Sequence, residues 1–188
     1  KLPTGSLTVI AGGLSAGIGL AMKDVLNNFI YGIQLMSGRL RVGDWIECGG
    51  VRGRVTSIGY QSTQIETLDG AVMSFLNSSL FSSNFVNLTR NNSYEFLKIT
   101  VGVSYGSDVQ KVREVLVEAM QSLRTKDAYG REIVRPDKGI YVVFGDFGDS
   151  SVDIAIKQYV LVPERIGYID RAKEVIYNAL NGAGIEIP

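Results

Sequence analysis

The sequence contains no histidine. That removes the commonest general base and the commonest metal ligand, and with them many enzyme chemistries. A single cysteine, Cys48, rules out an internal disulfide; it reads as a small apolar side chain beside a turn. Charge of one sign is missing too: Lys and Arg total 19, and Asp and Glu total 19. Without a basic excess, nucleic acid is not an expected partner. No secretory leader and no Met stand at the start, so Lys1-Leu2-Pro3 is expected to continue from chain upstream.

Several motifs are missing as well. No Gly-Lys-Ser/Thr occurs, which excludes a P-loop. Gly17-x-Gly19 begins like a dinucleotide loop, but its third position is Met22 and no strand precedes it. Asp146, Asp149 and Asp153 sit close together in F-G-D-F-G-D-S-S-V-D. They lack the spacing and final Glu of a calcium loop, so a solvated turn is expected and no metal. No nucleophile–base pair with an orienting group is visible, and neither an enzyme nor a cofactor is expected.

Between Lys1 and Lys23 there is no charge at all. As a helix at about 1.5 Å per residue, this stretch spans roughly 30 Å, the thickness of a bilayer core. Pro3 and Gly5 fall near its beginning. Ala11 to Ala21 reads A-G-G-L-S-A-G-I-G-L-A. Glycine in a helix costs about 1 kcal/mol relative to Ala, so this density needs a reason. Close helix–helix approach in a membrane supplies one: Gly13/Gly17 and Ser15/Gly19 form small-xxx-small pairs. Leu14, Ile18 and Met22 make a bulkier stripe, and Ala16 and Leu20 lie one turn apart on a different face. From Lys23 the pattern turns amphipathic, through Phe29, Ile33 and Met36, with Gly32 placed to bend it and Gly38 to stop it. Arg39 and Arg41 follow, on the expected cytoplasmic side.

Short strands come next. Val42–Cys48, Val51–Tyr60, Thr63–Leu68, Ala71–Phe75 and Asn84–Leu88 are separated by turn signals, with Gly49-Gly50 and Asp69-Gly70 the clearest. Gly53 and Gly59 are expected to bend or bulge the second strand. Five such strands predict a small SH3-like or Sm-like β barrel. The remainder reads as strand 96–103, a helix capped by Ser107 or Asp108 and running to about Leu123, a polar loop to Pro136, strands 140–144 and 152–160, and helix 166–180. That order predicts a ferredoxin-like α/β sandwich. The fold class is therefore α+β. The expected domains are 1–38 for the membrane and interfacial helix, 39–90 for the β domain and 91–188 for the α/β domain.

These segments together resemble the MscS (small-conductance mechanosensitive channel) family. The matching motifs are G-L-A-M-K-D-V-L-N-N-F-I-Y-G at Gly19–Gly32, R-V-G-D-W-I at Arg41–Ile46 and G-G-V-R-G-R-V at Gly49–Val55. S-T-Q-I-E-T-L-D-G at Ser62–Gly70, N-S-S-L at Asn77–Leu80, V-G-V-S-Y-G-S-D at Val101–Asp108 and G-I-E-I-P at Gly184–Pro188 continue the series. The resemblance runs from about residue 7 to the end.

It implies a homo-oligomeric ring, usually a heptamer, in the bacterial inner membrane, with the β and α/β domains in the cytoplasm. Membrane tension would open its pore and release ions and small osmolytes on hypo-osmotic shock. The alternative is a non-conducting structural or secretion-type ring protein built from the same pieces. By the resemblance, Leu20 falls on one pore-constricting leucine and Ala16 on the other, a departure, while Gly13 also faces the pore. Gly17, Gly19 and Ala21 match the small residues between sliding helices. Asp24 stands at the first bend, where the family often has Gly, and Gly32 keeps the second. Asn28 matches a family Asn, Gly38-Arg39 replaces an Arg-Pro pair, and Leu76 replaces a Pro.

Overall fold

The computed structural model describes residues 4–188; Lys1, Leu2 and Pro3 lie outside them. The chain forms two compact units, one ending at Arg90 and the other covering Asn91–Pro188. Helices and antiparallel sheets occupy both, so the α+β class holds.

The first unit opens with a 31-residue helix α1 (Thr4–Gln34), closed by a single π-turn over Leu35–Arg39. Leu40 N–H bonds the Leu35 carbonyl at 3.0 Å, and Gly38 turns the backbone at φ 133°. Five strands follow: β1 (Trp45–Cys48), β2 (Val51–Ile58), β3 (Ser62–Thr67), β4 (Val72–Leu76) and β5 (Val86–Asn87), with α2 (Asn77–Ser82) before the last. They form one antiparallel sheet in the order β4-β3-β2-β1-β5, the meander of an SH3-like or Sm-like domain. Gly49 and Gly50, at φ 58° and 78°, make the tight turn between β1 and β2 that their lack of a Cβ permits.

The β bulge falls at Thr56, between the Val55 and Ser57 pairings, and not at either expected glycine. Gly53 stays in register opposite Thr67, and a Cβ there would lie 2.5 Å from the Glu66 carbonyl oxygen, so the close pairing needs glycine. Gly59 instead starts the turn into β3, its N–H bonding the Ser62 carbonyl at 2.8 Å. Ile46, Cys48, Val55, Ile65 and Leu80 form the core, and Leu35 and Leu40 reach into it from the end of the helix.

The second unit contains β6 (Tyr94–Val103), α3 (Val109–Gln121), β7 (Tyr141–Phe147), β8 (Val152–Leu161) and α4 (Arg165–Gly182). Its sheet order is β6-β8-β7, with β8 antiparallel to both neighbours, the split βαβ arrangement of a ferredoxin-like sandwich. Asp108 caps α3 by accepting the N–H groups of Gln110 and Lys111 at 2.9 and 3.3 Å. Val112, Leu116 and Met120 of α3 and Tyr168, Ala172, Ile176 and Leu180 of α4 pack on Ile154, Ile156 and Val160 of β8. The Gln158 amide donates to the Tyr168 hydroxyl within this core, and burial pushes that phenol up to about 12.

Candidate functional site: the apolar helix and its anchor

Helix α1 divides into two parts. From Gly5 to Leu26 every residue is exposed. Leu20 is 75% exposed, and Leu7, Leu14, Ile18, Met22 and Val25 are also open. Among the described residues, Gly5–Arg39 is the one segment long and apolar enough to cross a membrane. A Cβ placed on Gly12, Gly13, Gly17 or Gly19 would meet nothing within 4 Å. The chain itself therefore makes no use of the space these glycines leave.

The unbroken α geometry fixes how side chains group around the axis. At about 100° per residue, Gly13, Ala16 and Leu20 fall within about 60° of arc. Gly17 and Ala21 flank this strip on one side; Gly12, Ser15 and Gly19 flank it on the other. Leu7, Leu14, Ile18 and Val25 occupy the opposite face. The helix thus presents one narrow strip, two small-residue flanks and one bulky back.

The second part of α1 is held by hydrogen bonds. Asn28 is buried on the helix face that meets the sheet. Its amide donates to the Asp24 carbonyl at 2.8 Å, and its side-chain oxygen accepts the Ser78 N–H at 2.9 Å. That second bond caps the start of α2, whose own N-cap position, Leu76, has no side-chain oxygen to offer. Asn77, fully buried, answers from the sheet side. Its amide donates to the Gly59 carbonyl at 2.9 Å and the Asn28 carbonyl at 3.3 Å, and its oxygen accepts the Thr63 hydroxyl at 2.9 Å. Gly32 makes the approach feasible, since a Cβ there would lie 2.6 Å from Asn77 Nδ2 and 3.1 Å from the Gly59 oxygen. Phe29 stacks on Tyr60 and Tyr31 tilts against Phe81, at ring separations of 5.7 and 4.6 Å.

The structure brings Gly13, Ala16 and Leu20 to one strip and Gly17 and Ala21 beside it. Asp24 and Gly32 both lie within continuous α-helix, and the departure from α geometry comes later, at Leu35–Arg39. Sequence reasoning missed Asn77 and Thr63 as partners of the helix. The available signal was weak: Asn28 sits beside Asn27, and Asn77 beside Ser78 and Ser79, so neither stands out from its polar neighbours. No group of three His, Cys, Asp or Glu side chains suited to a metal ion occurs among the described residues.

An exposed membrane-length helix keyed into a β sheet and followed by an α/β unit defines a membrane protein with an extramembrane body. Comparison with known proteins gives the family. The beta-domain model of mechanosensitive ion channels matches residues 24–90, and the C-terminal model of the mechanosensitive ion channel MscS matches residues 97–187. The chain belongs to the MscS family of mechanosensitive ion channels.

A small-conductance mechanosensitive channel of Helicobacter pylori is 27% identical over 187 residues, 98% of this chain and 65% of that protein. The mechanosensitive channel MscK of Escherichia coli is 29% identical over 152 residues, 80% of this chain and 13% of that protein. The chain thus spans two thirds or less of these relatives' length. The crystal structure of Helicobacter pylori MscS in its closed state superposes with a TM-score of 0.79 at 27% identity, covering 100% of this chain and 71% of that one. The cryo-EM structure of Arabidopsis thaliana MSL1, at 17% identity and a TM-score of 0.69, shares the fold.

Proposed function

We propose that this chain is the pore-lining helix and cytoplasmic body of a mechanosensitive channel subunit, and not an enzyme. The observation that carries the reading is the wholly exposed stretch Gly5–Leu26, whose glycines face empty space. A helix that accepts the cost of several glycines needs a surface to fit against, and the single chain offers none. Copies of itself around a central hole supply that surface. In this arrangement residues 1–38 form the membrane and interfacial part, 39–90 the β domain and 91–188 the α/β domain. The assembly is a heptameric ring in the bacterial inner membrane, with both domains in the cytoplasm.

Gly13, Ala16 and Leu20 then face the hole, and Gly17, Gly19 and Ala21 face the neighbouring helices. The small flanks let each helix rotate or tilt against the next. A ring of Leu20 side chains narrows the hole until water is unfavourable inside and ions are excluded. With Ala16 one turn away, Leu20 is the only large apolar residue in the strip at that level. Tension favours whichever state occupies more membrane area, and ions and small osmolytes pass in that state. The family resemblance makes Asp24 and Gly32 the bend positions of the assembled helix, although both are α-helical in the single chain. The Asn28 amide takes the Asp24 carbonyl that the helical ladder also uses, and Gly32 has the weaker helix propensity.

The test is Leu20→Ser in patch recordings from reconstituted liposomes. A wetted constriction lowers the tension threshold. An unchanged threshold removes Leu20 from the gate. No current at any tension, from a chain that still assembles into rings, favours the non-conducting structural alternative.

A further inference from the structure

A cleft of about 400 Å³ lies where the π-turn closing α1 faces the segment after α2. Two guanidiniums line it, Arg39 from the helix end and Arg90 from beyond β5, together with Asn84; no carboxylate does. Both arginines are exposed, and among the described residues neither side chain has an ion-pair or hydrogen-bond partner.

The Arg39 guanidinium is nevertheless held in place, and Arg90 is fixed at its backbone. Arg39 Cζ sits 4.5 Å from the centroid of the Phe81 ring, which serves as a flat wall for the guanidinium. The Arg90 backbone N–H donates to Asn87 Oδ1 at 3.0 Å. Its Nη2 lies 3.9 Å from the point a Cβ on Gly38 would occupy, an ordinary contact distance, so the guanidinium runs beside Gly38. The Ser83 hydroxyl is already committed, donating to the Ser79 carbonyl at 2.7 Å. Two like charges in one concavity, with no counter-charge in its lining, raise the local potential, and only an anion relieves it. Planar guanidiniums present paired N–H donors that match a phosphate's oxygens.

We propose that this cleft binds a phosphate-bearing anion between Arg39 and Arg90, with the Asn84 amide as a further donor. The proposal does not need the chain to conduct. Two sources carry this chemistry. One is phosphate free in solution. The other is an anionic lipid headgroup, because Arg39 is the last residue of the membrane-length segment.

The test uses the full chain in a neutral maltoside detergent without phosphate, followed by phosphorus NMR. One arm titrates inorganic phosphate; the other titrates short-chain phosphatidylglycerol. Saturable binding of inorganic phosphate identifies the free anion, and saturation by phosphatidylglycerol alone identifies the headgroup. In either case the Arg39→Gln/Arg90→Gln double variant is expected to bind about tenfold more weakly or worse, because both charge-assisted contacts go. Arg39→Lys/Arg90→Lys keeps the charge without the fork and is expected to fall between the two. The proposal is overturned by absence of saturation in both arms. It is equally overturned by unchanged binding in the Gln variant, or by an equal loss in Lys98→Gln/Arg113→Gln, which removes the same charge from the other unit.

Discussion

In the first part of α1 a Cβ on Gly13, Gly17 or Gly19 would meet nothing within 4 Å, whereas on Gly32 it would fall 2.6 Å from Asn77 Nδ2 and 3.1 Å from a backbone oxygen. The residue type and the helix are the same at all four positions. At Gly32 the reason for glycine lies inside the chain: the helix must come close enough for Asn28 and Asn77 to exchange hydrogen bonds with the backbone of the opposite element. At the other three the chain itself supplies no such reason; in the proposed ring, a neighbouring helix would supply it.

Substitutions at the anchor sharpen this contrast, and the largest effect is expected from Asn77→Ala. It leaves the Thr63 hydroxyl and the Gly59 and Asn28 carbonyls without their partner in a buried site, a loss of about 3 kcal/mol. Denaturant melts followed by fluorescence of Trp45, the single tryptophan, read this unit alone. A loss below about 1 kcal/mol, the net worth of an ordinary hydrogen bond, would show that the network adds little. Gly32→Ala comes next. Helix propensity alone makes Ala better by about 1 kcal/mol. The crowded Cβ position reverses the sign, and a net loss of about 1–3 kcal/mol is expected. A stabilised Gly32→Ala protein would break the contrast outright. Asn28→Ala removes the cap on α2 and is expected to cost about 1 kcal/mol by the same melt.

How much of this was legible in the sequence depended on how local the cause was. The Gly49-Gly50 turn and the Asp108 cap are written in adjacent residues, and the structure places both where the sequence did. The loop from Arg124 to Pro136 reads as polar, yet Ile133 and Val134 in it are buried. Arg135 N–H bonds the Tyr159 carbonyl and Leu161 N–H bonds the Ile133 carbonyl, so the segment runs beside the end of β8. Charged neighbours hid that pairing, because its partner lies far along the chain. The bulge at Thr56 was equally hidden, since glycine is only one of several residues a bulge accepts. In the site, helical spacing alone puts Ala16 and Leu20 one turn apart on one face, and Gly13 joins them through the family resemblance. The Asn28–Asn77–Thr63 network joins residues from three elements, and no local pattern encodes it.

The smallest effect within one chain, and the most informative, is expected from Gly17→Ala and Gly19→Ala. Each added methyl points into open space, so an unassembled chain loses nothing by overpacking. Ala is the better helix former, and each change is expected to stabilise α1 by up to about 1 kcal/mol. In the proposed ring the same methyl stands between two helices at their closest approach, where overpacking costs about 1–3 kcal/mol per contact. The sign should therefore reverse between the separated and the assembled protein. Sizing the particle by light scattering in detergent, with helix content by circular dichroism on each fraction, measures both sides. Equal stabilisation of separated and assembled fractions would mean that α1 meets no second copy along Gly17 and Gly19. Stabilisation of the separated chain with loss of the assembled particle would fix those two flanks as the surfaces on which neighbouring helices meet.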